Sequence, residues 1–236
     1  MPPLNLTAPP HACLFDLDGL LLDTEPLHAR AWHRAAAHFG TDLTLEQLIC
    51  LQGRRRHENA QLVCSWLNQA VTPEQLLTVR QPIADQLLPL AQAMNGAESL
   101  VCMAHRLHIA TALVTSSDRA SVCRKIGNHP WMNLLGIMVC GDDQQLKAGK
   151  PAPDPFQLGA ERLGVSPAQC WAFEDSEAGC QSALEAGCLV WRLQPEGSRT
   201  QPHQSRSEAE NAERLITISD LSEAKRCLET VVSTDG

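Results

Sequence analysis

The chain has 236 residues, 44% of them hydrophobic, and a net charge of −8. That length allows one large domain or a core with a smaller module, and the acidic balance argues against nucleic acid as a general partner. No apolar run approaches the ~20 residues that a membrane span needs, and "MPPLNLTAPPHAC" lacks the basic and apolar regions of a secretory signal, so no membrane partner and a cytoplasmic setting are expected. The ten cysteines form no C-x-x-C pair or zinc-like spacing with histidine. They read as small buried hydrophobes in a reducing compartment.

The first element is "ACLF" (12–15), a short apolar run ending in Asp16 and Asp18. It reads as a buried strand. Residues 26–95 then differ from the rest. "PLHARAWHRAAAHFG" predicts a helix stopped by Gly40. "TLEQLICLQG" opens with a Thr44…Gln47 capping box and ends at Gly53, and "TPEQLLTVR" has Thr72 as N-cap, Pro73 at the first helical position and Gln75 closing a box. Pro82 and Pro89 are expected to break or kink the chain beyond that helix start. No strand-like run is found there, so a small all-helical domain inserted after the first strand is expected. The expected division is 10–25 and 96–236 for the core and 26–95 for the helical cap.

Further strands are predicted at 108–115, 136–141, 170–173, 188–193 and 215–219. They are separated by helices such as Ser117–Ile126, Asp154–Leu163 and Glu177–Ala186. Continuous apolar strands alternating with helices predict an α/β fold, an open parallel sheet covered on both faces. Residues 194–213 are polar and aperiodic and read as a surface loop. Ligands of such sheets bind beyond the carboxyl ends of the strands. Asp16, Asp18, Thr115, Asp142, Glu174 and Asp175 all fall at those ends.

Asp16 and Asp18 point the same way, because strand side chains alternate with period two. Two like charges that close need a cation, or a proton on one of the pair. With Glu174 and Asp175, and without histidine or cysteine, the donor set suits Mg²⁺. Thr115 and Ser116 lie where a strand turns into a helix and can hold phosphate oxygens. Lys150, framed by Pro151, Pro153 and Pro155, adds a positive charge. These parts make a phosphoryl-transfer site. Asp16 would attack phosphorus and become an aspartyl phosphate. Asp18 would protonate the leaving oxygen and then take a proton from water. Lys150 and Thr115 would stabilise the transferring oxygens. Asp175 would anchor the metal, with Glu174 either a further ligand or a residue behind the ligands.

The motifs "DLDGLLLDTEP", "VTSS", "GKPAPDPF" and "FEDSEAG", in that order, make the chain resemble the haloacid dehalogenase (HAD) superfamily of phosphotransferases. The likeness is to the branch with a helical cap inserted after the first strand, and it runs from about Ala12 to Leu193. The resemblance implies Mg²⁺ held by the Asp16 carboxylate, the Asp18 backbone carbonyl and Asp175, with Gly19 permitting the turn after the catalytic strand. Within the branch the chain is similar to β-phosphoglucomutase in "DTE…H" and in Gly53…Arg56. It lacks that group's cap lysine, for which Arg80 is a rough positional substitute. The longer match, including Gly141–Asp143, is to pseudouridine-5′-phosphatases and glycerol-phosphate phosphatases. A hydrolase of a small phosphorylated metabolite is therefore expected, a monomer or weak homodimer, whose cap excludes water and selects the leaving group. The alternatives are a phosphomutase and a non-catalytic phospholigand-binding protein.

"GRRRHEN" (53–59) has two readings. Arg54, Arg55 and Arg56 form a solvated basic face, or Arg56, at the family's position, holds the distal part of the substrate. Asp142 and Asp143 line the site or end a strand. His28 and His57 read as surface or packing histidines.

Overall fold

Six short runs of apolar residues pair into one parallel sheet. The computed structural model describes residues 6, 8–51, 56–194 and 212–234. The sheet strands are β1 (Ala12–Phe15), β4 (Ala110–Val114), β5 (Ile137–Val139), β6 (Cys170–Glu174), β7 (Leu189–Leu193) and β8 (Leu215–Ile218). Their order is β5-β4-β1-β6-β7-β8, with Leu14 opposite Ala112 on one side and Ala172 on the other. Strand order therefore reverses at β1, and the crevice beyond its carboxyl end is the binding position of such sheets.

Both faces are covered, which is why the strands read as unbroken apolar runs. On one face Leu14, Val114, Val139, Ala172 and Val190 pack with Phe156 and Ala160 of α7 (Asp154–Arg162) and with Cys180 and Ala183 of α8 (Glu177–Ala186). Phe15 and Phe173 stack on the other face, ring centroids 4.7 Å apart, and Phe173 stacks in turn on Trp191. The remaining core helices are α5 (Ala97–Arg106), α6 (Arg119–Ile126) and α9 (Leu221–Thr234).

The chain divides into two compact units. One comprises Met1–Leu22, Ala93–Val122 and His129–Gly236, the other Asp23–Gln92 and Cys123–Asn128. The second holds α1 (Glu25–His38), α2 (Leu45–Cys50), α3 (Arg56–Trp66) and α4 (Pro73–Leu87) around Trp32, Ala36, Leu51, Ala60, Val63 and Leu76. Both predicted capping boxes form: Thr44 with Gln47 and Thr72 with Gln75. After α1 the Gly40 N–H bonds Ala37 O and the Thr41 N–H bonds Ala36 O, which closes the helix end.

Two expectations are corrected and one is narrowed. The span 26–95 does contain a strand: β3 (Gln92–Ala93) pairs with β2 (Leu22–Asp23), each too short to leave a periodic signal. Pro82 does not end a helix, because α4 runs through it to Leu87. Its buried face of Leu76, Arg80, Ala84 and Leu87, packed against α1, offsets the lost backbone hydrogen bond. Pro89 lies in a 3₁₀ turn, Leu88–Leu90. Finally, α6 begins at Arg119 rather than Ser117, since Asp118 caps it by accepting from the Ser121 N–H at 2.8 Å. Gln52, Gly53, Arg54, Arg55 and, of the loop expected at 194–213, residues 195–211 lie outside the described residues.

Candidate active site

Asp16 comes directly after β1. Its N–H still bonds Phe173 O, at 3.0 Å, so the ladder fixes its backbone while its side chain emerges beyond the sheet. The chain then turns sharply: the N–H groups of Leu21 and Leu22 both bond Leu17 O, and that of Gly19 bonds Leu22 O. Gly19 has φ +83°, a conformation that side chains disfavour, and a Cβ there would run into the Asp175 carboxylate. The glycine thus lets the loop after β1 and the loop after β6 lie against each other.

Lys150 reaches the same point from a different loop. Its Nζ donates to Asp16 Oδ1 at 2.6 Å, Val114 O at 2.8 Å and Glu174 Oε1 at 2.5 Å, so all three ammonium protons have acceptors. Burial disfavours the ammonium, but Asp16 and Glu174 more than compensate and hold its pKa above the ordinary lysine value. Asp16 is shifted the opposite way for a carboxylate. Burial pushes it up to about 7, against the pull of Lys150 and with the help of Glu174 and Asp18. The site carries more negative charge than one lysine neutralises.

That surplus fits a cation. Carboxylate oxygens of Asp16, Glu174 and Asp175 lie within 4.8 Å of one another, with no sulfur or imidazole donor in the group. An all-oxygen set of this kind suits a hard divalent ion. Asp18, by contrast, turns its side chain to the loop after β4, where its Oδ2 accepts from Ser117 Oγ at 2.8 Å.

That loop is built on Thr115, which is 3% exposed and whose N–H bonds Val139 O. Its Oγ1 accepts from the Ser117 N–H at 3.1 Å, and the Gly141 N–H bonds Ser117 O. Ser116 is exposed. Sequence reasoning stopped at Thr115 and Ser116 and missed Ser117; the third hydroxyl of "VTSSD" was the available signal. Asp142 and Asp143 hold structure. Asp142 Oδ1 accepts from the Arg119 N–H at 2.9 Å, at the start of α6. Asp143 makes a two-pronged pair with Arg162 at 2.7 and 2.8 Å, and the hydrogen bonds from Arg162 hold its carboxyl below the usual range.

Asp16, Asp18, Thr115, Lys150, Glu174 and Asp175 are thus gathered in one unit, at the carboxyl ends of β1, β4 and β6. Arg56 belongs to the helical unit, where its Nη1 donates to Gln81 Oε1 at 3.2 Å. In that unit too, Arg80 is 4% exposed, lies over the Trp32 ring and donates to His28 Nδ1 at 2.9 Å. Burial, reinforced by Arg56, brings Arg80 down to about 10.

The family model described as "Haloacid dehalogenase-like hydrolase" matches residues 13–192. The fructose-1-phosphate phosphatase of Escherichia coli K12 is 34% identical over 182 residues, covering 74% of this chain and 91% of that protein. A Drosophila melanogaster protein named "Probable pseudouridine-5′-phosphatase" is also 34% identical over 182 residues, covering 75% and 79%. Among solved structures, a HAD family hydrolase of Deinococcus radiodurans R1 with bound phosphate and sodium superposes with a TM-score of 0.74 at 25% identity. The match covers 95% of this chain and 97% of that one.

Proposed function

We propose that this chain, which belongs to the haloacid dehalogenase-like hydrolase family, is a Mg²⁺-dependent phosphatase. Its substrate is the phosphate monoester of a small metabolite: a sugar, a polyol or a nucleoside. The observation that carries the reading is the contact between Lys150 Nζ and Asp16 Oδ1, made beside the carboxylates of Glu174 and Asp175 where strand order reverses. The phosphatases among its relatives support the substrate class.

In the first step an Asp16 carboxylate oxygen attacks phosphorus. The bond from phosphorus to the ester oxygen breaks, and Asp18 gives that oxygen its proton. In the second step the Asp18 carboxylate takes a proton from water. The water oxygen attacks phosphorus, and the bond to Asp16 breaks to release inorganic phosphate. Lys150 and Thr115 hold the equatorial oxygens in both steps. Asp16, Asp175 and the Asp18 carbonyl would hold Mg²⁺, whose charge lets an anionic nucleophile approach an anionic substrate. Arg56 is the candidate for the distal part of the substrate. Residues 26–95 are read as the cap, and thiols kept reduced and buried, such as Cys13, Cys170 and Cys188, fit a cytoplasmic setting.

The test is phosphate release across a panel of phosphorylated sugars, polyols and nucleosides. Release should require Mg²⁺, stop with EDTA and be lost in Asp16→Asn. Release without added bisphosphate excludes a mutase-only enzyme, and turnover of any substrate excludes a pure binding protein. Activity that survives Asp16→Asn would remove Asp16 as nucleophile.

A further inference from the structure

Arg56 opens α3 and is exposed, and its charge is one of the influences that bring the buried Arg80 down. Two guanidiniums near enough to feel each other repel, and a long exposed side chain left to itself swings into water. Arg56 is held instead: its Nη1 donates to Gln81 Oε1 at 3.2 Å. Gln81 is half-buried on α4, and its Nε2 donates to Asp85 Oδ1 at 3.0 Å, one helical turn further on. Asp85 Oδ1 also pairs with Arg124 Nη2 at 3.1 Å. Arg124 lies in Cys123–Asn128, a stretch that belongs to the helical unit. The sequence of these groups allows one orientation of the Gln81 amide. A guanidinium only donates and a carboxylate only accepts, so the amide oxygen faces Arg56 and the amide nitrogen faces Asp85.

We infer that Gln81 is the positioning residue of Arg56, and that Asp85 fixes Gln81 in the orientation this needs. The role rests on the phosphatase reading, in which Arg56 holds the distal part of the substrate. Among the described residues Gln81 is the one side chain that Arg56 bonds, and no carboxylate forms an ion pair with Arg56. The rest of its donors are left for a ligand. A guanidinium accepts no hydrogen bond, so the distal group it takes presents acceptor oxygens, such as the hydroxyls of a sugar or polyol. A neutral amide suits this task. A carboxylate at position 81 would neutralise Arg56, whereas an amide oxygen orients it and leaves its charge in place. The charge of Asp85 is matched by Arg124. Holding a long side chain in position before the ligand arrives removes an ordering cost equivalent to about two- to twelvefold in affinity. The distal part takes no part in bond breaking, so the effect falls on KM and not on kcat.

Steady-state kinetics on the phosphorylated sugar or polyol that the wild type turns over best, with inorganic phosphate as competitive inhibitor, tests this. Gln81→Ala and Gln81→Met, the second of nearly unchanged length, should each raise KM about fivefold, with kcat within about twofold of wild type. In Asp85→Asn the neighbour no longer dictates which way the Gln81 amide faces, so KM should rise by a smaller factor. Inorganic phosphate has no distal part, and its inhibition constant should stay within about twofold in every variant. Arg56→Ala should raise KM at least as much as Gln81→Ala. Adding Gln81→Ala to it should change KM by less than about twofold, because the residue through which Gln81 acts is gone. Effects that multiply in the double variant overturn the inference. So does unchanged KM in both Gln81 variants, or a loss of kcat or of phosphate inhibition as large as the rise in KM, the mark of a merely structural role. Unchanged KM in Arg56→Ala removes Arg56 from substrate binding and the role of Gln81 with it, while continued phosphate release upholds the phosphatase reading. A wild type that releases no phosphate from any substrate of the panel removes that reading itself, and this role with it.

Discussion

Ser117 Oγ donates a 2.8 Å hydrogen bond to Asp18 Oδ2 across a separation of 99 residues. The hydroxyl is itself well placed, since the Ser117 N–H bonds Thr115 Oγ1 and its carbonyl accepts from Gly141. In the mechanism proposed above Asp18 carries a proton, which needs a defined geometry, and this bond helps to orient its carboxyl. Ser117→Ala should therefore lower kcat by about tenfold, a fraction of the roughly 10²–10⁴-fold that acid–base catalysis contributes, since the carboxyl itself remains, with KM little changed. Steady-state kinetics with Ser117→Thr as the conservative control will check this. A change in KM alone would assign Ser117 to binding.

If Asp16 is the nucleophile proposed above, Asp16→Asn should reduce phosphate release by at least about 10³-fold, because the variant then lacks the bond-forming oxygen and not merely a contact. The variant should also fail to bind trifluoroberyllate, a mimic of the phosphorylated carboxylate. Fluorine magnetic resonance detects the bound mimic directly.

Removing Asp175 should abolish stabilisation by metal. A divalent ion bound at the site and present at one hundred times its dissociation constant would stabilise the wild type by about 2.7 kcal/mol through mass action. Thermal unfolding of Asp175→Asn should show no comparable rise on adding Mg²⁺, while EDTA should leave its Tm unmoved.

Gly19→Ala tests the close approach of the two loops. A side chain at φ +83° costs about 1–2 kcal/mol, and the new methyl must also push the Asp175 carboxylate aside. Urea unfolding should register the first effect, and weaker Mn²⁺ binding the second.

The Asp143–Arg162 pair predicts a pH dependence. Hydrogen bonds from Arg162 lower the Asp143 pKa below its ordinary 3.8, so the folded state holds its proton less tightly than the unfolded chain. The resulting stability is present above pH 3.8 and is lost as pH falls through the folded value. Asp143→Asn should cost about 1 kcal/mol at pH 7, and the difference from wild type should close in chemical denaturation below pH 3.8.

Much of the fold was legible because its signals are local. An apolar run such as "CWAF" marks a strand buried on both faces, and Thr72, Pro73 and Gln75 carry a helix start within four positions. The two-residue strands β2 and β3 were not legible, since no period fits into two residues. Pro82 left a break or a kink open, and only the structure shows that the helix is not broken there. Its local penalty is real, but packing of α4 against α1 outweighs it, and no window around Pro82 contains α1.

The same division holds at the site. By itself the sequence singled out the candidates for the chemistry: Asp16, Asp18, Thr115, Lys150 and Asp175 are marked by residue type, by their place along the chain and by the order of four motifs. Only the tertiary structure decided whom each one touches. It turned Asp18 toward Ser117, sent Asp143 to Arg162 and seated Glu174 between Lys150 and Ser176. The physical reason is that residue type and spacing are properties of the chain, whereas a hydrogen-bond partner is chosen by distance and angle among groups that the folded sheet brings together from far apart.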